Sequence, residues 1–399
     1  MAPMHSQSQW QRSIHKKNKK IRHKGKMMNR IPTINEMEEF LLRDSKTEDL
    51  VEAENKKSKT PNTKLTADQV RHEVSVFARI LINVYCGWPF HNEVLKRKIL
   101  KTLVDIHKNA HDMTSAELLE QLRPAIEIIP DNHIQLNMVG QNMGVRTALR
   151  KPRQNVGSNI AGDKKFSVEI HGDIGIIAAS TLSGWTDTER KTFEKQWRAI
   201  LPQSETLIVD LRGNGGGDNR PIDKIAEYIL GQTYPNAHKE IVRNNPDAKR
   251  VHRFYPERIG NDFDTDVLDD PFVIHDNTVR PIQKYNPKNA KYTVYILTNR
   301  GVSSSAEMFI FRMKHYPKTT IVGTNTNGCE VYGYNQHILL PHTHIKFTVG
   351  AVYRELSIEN FETNGFEPDI KCLDGTDAFA VAMAEIEKNK TMQAPTLER

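Results

Sequence analysis

The chain has 399 residues, of which 38% are hydrophobic, and it carries 56 Lys and Arg against 49 Asp and Glu, a formal net charge of +7. This length suffices for two or three compact units, while the low apolar fraction indicates that part of the chain is disordered. No apolar run approaches the roughly 18 residues of a membrane span, and no apolar segment follows the basic N-terminus as in a secretory signal, so we expect a cytoplasmic location, with unconventional export as the alternative.

Residues 1–64 are predicted to form a basic, polar N-terminal tail and linker. Residues 1–30 contain nine Lys and Arg and no acid, so the rest of the chain is close to neutral. The run from His15 to Lys26 could bind phosphate groups or anionic lipid, but it lacks interleaved aromatics and any nucleic-acid-binding fold signature. A solvated tail is therefore the favoured interpretation. Nucleic-acid association through this tail alone is the alternative, and it would weaken steeply with salt.

Residues 65–136 are predicted to form a helical N-terminal domain. Thr66 and Gln69 make a capping box at the start of the first helix, and apolar residues at helical spacing mark two more helices. This domain ends in the motif Asp131-Asn-His133, just before a predicted strand. Residues 137–164 are rich in Gly, Asn, Lys and Arg, which predicts a connecting loop.

Residues 165–399 are predicted to form an α/β core. The buried strand at 206–211 is followed by a glycine-rich turn at 213–217 and then by a helix, and strands and helices alternate afterwards. The segment 232–290 interrupts this alternation and predicts a lid or a binding loop. Its aspartates at 262, 264 and 266 resemble the start of a calcium loop but lack the glycine and the final glutamate, so we predict no calcium site.

Three serines, Ser303 to Ser305, lie where a predicted strand ends and a predicted helix begins. The unpaired N–H groups of a helix's first turn give this position a partial positive charge, which suits a nucleophilic serine and an oxyanion. The alternative is that these serines only cap the helix, because Ser is a favoured N-cap residue. The glycine-rich turn lacks the spacing of a phosphate-binding loop, and exposing N–H groups to an oxyanion is its better use.

Taken together, three motifs resemble those of the tail-specific protease (C-terminal processing peptidase) family. They are Asp210-Leu-Arg-Gly-Asn-Gly-Gly-Gly217, Ser304-Ser-Ala-Glu307 and Asn364-Gly-Phe-Glu-Pro-Asp369. The tricorn and interphotoreceptor-retinoid-binding-protein branch is the more similar one. The resemblance covers about residues 66–388 and implies an α/β fold with a ClpP/crotonase-like core, preceded by a small helical domain and a disordered basic N-terminal tail.

The resemblance also implies roles for particular residues. Ser304 matches the nucleophile, His133 the general base and Glu362 the acid that completes the catalytic group. The N–H groups of Ser305 and of Gly215 or Gly216 match the oxyanion hole. This agrees with the chemistry, because a serine hydroxyl is a weak nucleophile until a base takes its proton and the base needs an orienting partner.

Three departures from the family pattern affect this interpretation. Cys329 stands where the bacterial members have the lysine of a Ser–Lys dyad, which leaves only the histidine route. Asn132 stands where the tricorn branch has a serine, and it is a possible orienting residue through its amide. There is no room for the PDZ domain that many members insert. Cys329 could itself be a thiol nucleophile, but a semi-buried cysteine is more often inert.

We therefore predict a serine peptidase that hydrolyses peptide bonds through an acyl-enzyme on Ser304, with His133 as general base. Its substrate would be a peptide or protein, and it would need no metal or organic cofactor. With three cysteines and no CxxC pair, we predict neither a disulfide framework nor a zinc site. The alternative function is a non-catalytic ligand- or peptide-binding module on the same fold.

Overall fold

A computed structural model describes residues 31–53, 58–148, 160, 164–231, 238–251, 271–276, 291–356, 358–373 and 375–393. The predicted basic tail at 1–30 lies outside the described residues. So do 149–159 and 161–163 of the predicted connecting loop, and 232–237, 252–270 and 277–290 of the predicted insertion, which include the three aspartates considered for calcium.

Within the described ranges, the helices are α1 (Ile34–Leu42), α2 (Ala67–Arg79), α3 (Glu93–Lys108), α4 (Ser115–Glu127), α5 (Asp187–Ile200), α6 (Arg220–Leu230), α7 (Pro246–Val251), α8 (Ser305–Met313), α9 (Phe361–Asn364) and α10 (Ala378–Gln393). The strands are β1 (Val51–Glu52), β2 (Lys64–Leu65), β3 (Met113–Thr114), β4 (Gln135–Met138), β5 (Met143–Arg146), β6 (Phe166–His171), β7 (Ile174–Ala179), β8 (Thr206–Asp210), β9 (Lys239–Arg243), β10 (Phe272–Asp276), β11 (Thr293–Thr298), β12 (Thr319–Gly323), β13 (Tyr332–Leu339), β14 (Lys346–Glu355) and β15 (Ile370–Lys371).

The first large sheet has six strands in the order β15-β12-β11-β8-β7-β6. Its neighbouring strands run parallel except for β6, which pairs antiparallel with β7 at the edge. Every residue of β8 is buried, because α5, α6 and α8 cover one face of the sheet and α10 covers the other. Val209 accordingly belongs to one apolar core and Ile208 to the other. The predicted α/β fold class is confirmed.

The second large sheet is antiparallel and follows the order β1-β13-β14-β4-β5, with β9 pairing to both β14 and β10. Helices α1 to α4 pack on it, and the ring of Phe77 in α2 stacks on that of Phe347 in β14 at 4.6 Å between centroids. The helices predicted as an N-terminal domain thus share one core with strands from the far end of the chain.

Two intervals for which the sequence predicts no helices or strands contain such elements in the structure. Strand β5 lies within the predicted loop at 137–164 and pairs with β4. Strands β9 and β10 and helix α7 lie within 232–290, and β9 extends the antiparallel sheet. These strands are short and only partly apolar, so their pairing partners rather than their own sequence define them.

The two sheets meet where the site lies. Parallel strands β8 and β11 are neighbours, so the glycine-rich turn after β8 and the serines after β11 emerge at the same sheet edge. His133 approaches from the antiparallel sheet, in the loop before β4.

Among the described residues, no helix is both long enough and apolar enough to cross a membrane.

Candidate active site

Ser304 lies at the junction between β11 and α8 in a strained backbone conformation. Its φ is +56° and its ψ is −129°, a region that residues with a Cβ rarely adopt. Its Oγ lies 3.3 Å from Nε2 of His133, within reach of a hydrogen bond from the hydroxyl to the imidazole. Strain of this kind costs on the order of 1–3 kcal/mol and persists where the surroundings enforce it, frequently at active sites.

This backbone conformation predicts the relative stability of two variants at position 304. Ser304→Gly should be more stable than Ser304→Ala by about 1 kcal/mol in urea unfolding, because glycine adopts a positive φ without steric cost. Ser303 is the matched control, because its φ is not positive. There the order should reverse, with glycine less stable than alanine. The same order at both positions would contradict the assigned strain.

Glu307 holds this junction in place. Its carboxylate is fully buried and accepts four hydrogen bonds: from the N–H of Ser304 (3.0 Å) and of Cys329 (2.8 Å) at Oε2, and from the N–H of Gly328 (2.8 Å) and the hydroxyl of Thr326 (2.5 Å) at Oε1. One side chain thus joins the first turn of α8 to the segment after β12. This explains in physical terms why a glutamate follows the serine at a distance of three residues.

The glycine-rich turn is fixed by buried polar groups on both sides. Arg212 is bidentate to Asp210, with N–O distances of 2.9 and 2.7 Å, and its third nitrogen bonds to Asp377. Asn214 Oδ1 accepts the N–H of Gly216 at 2.9 Å. The N–H of Gly216, named as a possible oxyanion donor, thus has a hydrogen-bond acceptor inside the turn in this structure.

Gly216 allows the glycine-rich turn to approach Ser303–Ser305 closely, because it has no side chain. Its φ is +84°, and a Cβ there would lie 2.7 Å from the Ser303 carbonyl oxygen and 2.9 Å from both Ser304 Cβ and Ser305 N. The turn therefore lies directly against the serine junction. The Ser305 hydroxyl donates to the carbonyl of Gly217 at 2.6 Å and links α8 to the turn.

Two N–H groups remain next to Ser304. No hydrogen bond to the N–H of Ser305 or of Gly215 is found among the residues that the structure describes. Both residues line the same cavity as Ser304. Ser305 N–H belongs to the first turn of α8, where helices leave donors without an intrahelical acceptor.

The loop that carries His133 is held by Asn132 and Glu362. The Glu362 carboxylate accepts the N–H of Asn132 (3.1 Å) and the N–H of Val331 (2.7 Å). The Asn132 amide donates to the carbonyls of Gly328 (2.5 Å) and Glu362 (2.6 Å). The predicted site residues thus come together, but Glu362 and Asn132 hold the loop mainly through backbone groups. The side-chain amide of Asn132 donates to backbone carbonyls and not to the Glu362 carboxylate.

Asp131 and Cys329 are the side chains that sequence reasoning did not place beside the imidazole. Asp131 Oδ1 accepts the His133 N–H at 2.7 Å and lies 3.9 Å from His133 Nδ1. Cys329 Sγ lies 3.3 Å from Nε2 and 3.4 Å from Nδ1. Burial raises the pKa of Asp131 to about 7, and burial together with the neighbouring Asp131 charge raises the pKa of Glu362 well above its ordinary value.

Ser304 opens into a polar cavity of about 430 Å³. On one side the cavity follows α8 past Met308 to Arg312, and its far wall includes Tyr334, Glu330 and Arg354. Glu330 and Arg354 are ion-paired at 3.1 Å. In the part of the chain that the structure covers, no group of three or more His, Cys, Asp and Glu side chains is arranged to hold a metal ion.

Two of the residues that build this site had a signal in the sequence. Asp131 stands two residues before His133, and Glu307 closes the motif that begins at Ser304, yet neither spacing reveals what the carboxylate contacts. The cavity walls had no such signal, because Arg312, Glu330 and Arg354 come from three separate elements and meet only in the folded chain.

Comparisons with known proteins give the family. A sequence model of peptidase family S41 matches residues 173–372, half of the 399-residue chain, which includes the glycine-rich turn, Ser304 and Glu362. A protein from Parabacteroides merdae, described as a candidate peptidase, superposes with a TM-score of 0.50 at 17% identity, covering 79% of this chain and 94% of that one. This likeness shows a shared fold.

Two other solved structures are similar. A lipoprotein from Streptococcus agalactiae has a TM-score of 0.45 at 15% identity and covers 80% of this chain and 96% of its own. A protein from Bacteroides fragilis, described as a candidate S41 protease, has a TM-score of 0.37 at 16% identity; the match covers 57% of this chain and 58% of that one. The match of the family model confirms the resemblance drawn from the three motifs: the chain belongs to peptidase family S41.

Proposed function

We propose that the chain is a serine peptidase that cleaves peptide or protein substrates through an acyl-enzyme on Ser304. The observation that carries this proposal is the 3.3 Å contact between the Ser304 hydroxyl and His133 Nε2, made by a serine held at φ +56°. Membership in a peptidase family supports it. A serine that only capped α8 would not need this conformation or an imidazole beside it.

The chemistry follows from the positions of the groups. Ser304 Oγ attacks the carbonyl carbon of the scissile bond while its proton passes to His133 Nε2. The resulting oxyanion accepts hydrogen bonds from the N–H groups of Ser305 and Gly215. When the C–N bond breaks, His133 gives its proton to the leaving amine. Water, activated by the same imidazole, then attacks the ester carbon and frees the carboxylic acid and Ser304.

Glu362 and Asn132 contribute through the backbone in this proposal. Their hydrogen bonds fix the loop between the two sheets, so that the imidazole is placed against Ser304 before substrate arrives. Such preorganisation is a large part of enzymatic rate enhancement, because no reorganisation is then needed during the reaction.

Removal of the imidazole tests the proposal. His133→Ala should lower the rate of peptide cleavage by about 10³-fold, because the serine hydroxyl then has no base. The assay is cleavage of a mixture of sequence-diverse peptides followed by mass spectrometry, since such a mixture serves whatever the cleavage preference is. His171→Ala is the matched control, because His171 is exposed in the β6–β7 hairpin.

The wild type and His171→Ala should cleave the same bonds at the same rate. Equal cleavage by His133→Ala would remove His133 from the mechanism. A folded wild type that binds peptides without cleaving any would favour the alternative of a non-catalytic binding module.

A further inference from the structure

A group of buried polar side chains lies behind His133, away from the cavity. It comprises Asp131, Tyr85, Tyr332, Glu362 and Cys86, which interact with one another electrostatically. The Asp131 and Tyr85 side chains are fully buried. Groups of this kind are costly to bury, so they call for a physical explanation.

Asp131 faces the imidazole from this side. Its Oδ1 lies 3.9 Å from His133 Nδ1, while Ser304 lies against Nε2 of the same ring. The carboxylate and the hydroxyl therefore approach opposite nitrogens. The carboxylate lies beyond hydrogen-bond distance of Nδ1, but its charge favours the tautomer with the proton on Nδ1, which leaves Nε2 as the proton acceptor.

The buried Tyr85 hydroxyl is a neighbour of the Asp131 carboxylate. This hydroxyl acts to lower the pKa of Asp131, against the rise caused by burial. Among the described residues, Asp131 Oδ2 and the Tyr85 hydroxyl make no hydrogen bond of regular geometry. The two groups are thus close without a well-aligned hydrogen bond, as is common for catalytic groups before substrate binds.

The local backbone accounts for the position of Tyr85. Helix α2 is followed by a π-helical turn at Ile80–Val84, and the Tyr85 N–H bonds to the carbonyl of Ile80 at 2.8 Å. Such turns are rare and occur frequently at functional sites, because the extra residue re-aims the side chains that follow. The turn brings the Tyr85 ring from the helical part of the chain to the ring of Tyr332, with 5.6 Å between the centroids.

Among the described residues, Glu362 and Cys329 are less suited to orient His133. Both oxygens of the Glu362 carboxylate accept backbone N–H groups, from Asn132 and Val331, whereas only Oδ1 of Asp131 does so. Cys329 Sγ is nearly equidistant from both ring nitrogens, and a neutral thiol is a weak hydrogen-bond acceptor.

We propose that Asp131 is the positioning residue that orients the His133 imidazole toward Ser304, and that the buried Tyr85 hydroxyl interacts with Asp131 and supports its charge. This inference rests on the proposed function of the site and deepens it, because it assigns the orienting role to Asp131 and leaves Glu362 to hold the loop backbone. It also makes the helical part of the chain a component of the catalytic machinery.

The test measures the tautomer and the pKa of His133 directly, by nuclear magnetic resonance of full-length protein with isotope-labelled histidine. The His133 signals are identified by their loss in His133→Ala. In the wild type we expect the neutral tautomer with the proton on Nδ1. In Asp131→Asn the pKa of His133 should fall by about one unit or more, because the carboxylate that stabilises the imidazolium is gone.

Glu362→Gln is the matched comparison and should act differently. Asp131 and Glu362 oppose each other's ionisation, so removing the Glu362 carboxyl favours the charged form of Asp131, and the pKa of His133 should stay unchanged or rise. An unchanged His133 pKa in Asp131→Asn would overturn the proposal, and so would a fall in Glu362→Gln equal to that in Asp131→Asn.

Tyr85→Phe keeps the proposal testable if Asp131→Asn does not fold, since it removes a single oxygen. Loss of that hydroxyl makes the Asp131 charge less favourable, so the pKa of His133 should again fall; an unchanged value would count against the assignment. The rate of labelling by a fluorophosphonate separates the two proposals. A wild type that is not labelled contradicts the proposed function, while the resonance measurement still decides the role of Asp131.

Discussion

Ser304→Ala is expected to abolish peptide cleavage, with a loss of about 10³-fold or more relative to the wild type. Without the hydroxyl no acyl-enzyme forms, and His133 is left beside a methyl group. Any residual activity would come from water attacking a carbonyl polarised by the N–H groups of Ser305 and Gly215. The measurement is the initial rate on a peptide that the wild type cleaves.

Ser167→Ala is the matched control for this substitution. Ser167 lies in edge strand β6, distant in the fold from the serine junction, and its removal should leave the rate unchanged. Ser304→Ala should unfold within a few degrees of the wild type, because the backbone hydrogen bond from Ser304 to Glu307 does not depend on the side chain. Cleavage at the wild-type rate by a folded Ser304→Ala protein would contradict the assignment of the nucleophile.

Glu307→Gln should be the most damaging isosteric substitution at the site, lowering the free energy of unfolding by about 2–4 kcal/mol. Both carboxylate oxygens of Glu307 accept hydrogen bonds, and each accepts at least one from a backbone N–H. A glutamine has one oxygen, so in either orientation its amide group would face a buried N–H. Urea unfolding measures the loss, and the peptide-cleavage rate should fall as well because Ser304 is no longer fixed.

Glu120→Gln is the control for an ordinary glutamate. Glu120 lies on the exposed face of α4 and pairs with Arg123. A surface ion pair of this kind contributes little, so the change should stay below about 0.5 kcal/mol. Equal effects of the two substitutions would show that the four hydrogen bonds to Glu307 do not stabilise the junction.

The fold class was predictable because the strands of the parallel sheet have a strong local signal. Residues 207–209 are a continuous run of Leu, Ile and Val, as expected for the centre of a strand that is covered on both faces. Strand β5 had no such signal, since its four residues are only partly buried and owe their conformation to pairing with β4. Long-range pairing of this kind is invisible to periodicity.

The features of the candidate site likewise fall into those that the sequence predicts and those that depend on the fold. The position of Ser304 followed from a strand–helix junction, and its distance from His133 followed only from resemblance, because 171 residues separate them. The hydrogen bond from the Gly216 N–H to Asn214 could not be predicted, since it depends on the conformation of the turn. Asp131 belongs to a sequence motif, but only the folded loop places its carboxylate behind the imidazole.

The most direct test of Ser304 as the activated nucleophile is to locate the covalent adduct of a fluorophosphonate on the wild-type protein by mass spectrometry. After trypsin digestion we expect a phosphonylated peptide spanning 301–312, with fragment ions that place the adduct on Ser304 and not on Ser303 or Ser305. An adduct on any other residue, or a folded protein that acquires none, would contradict an activated serine at this position.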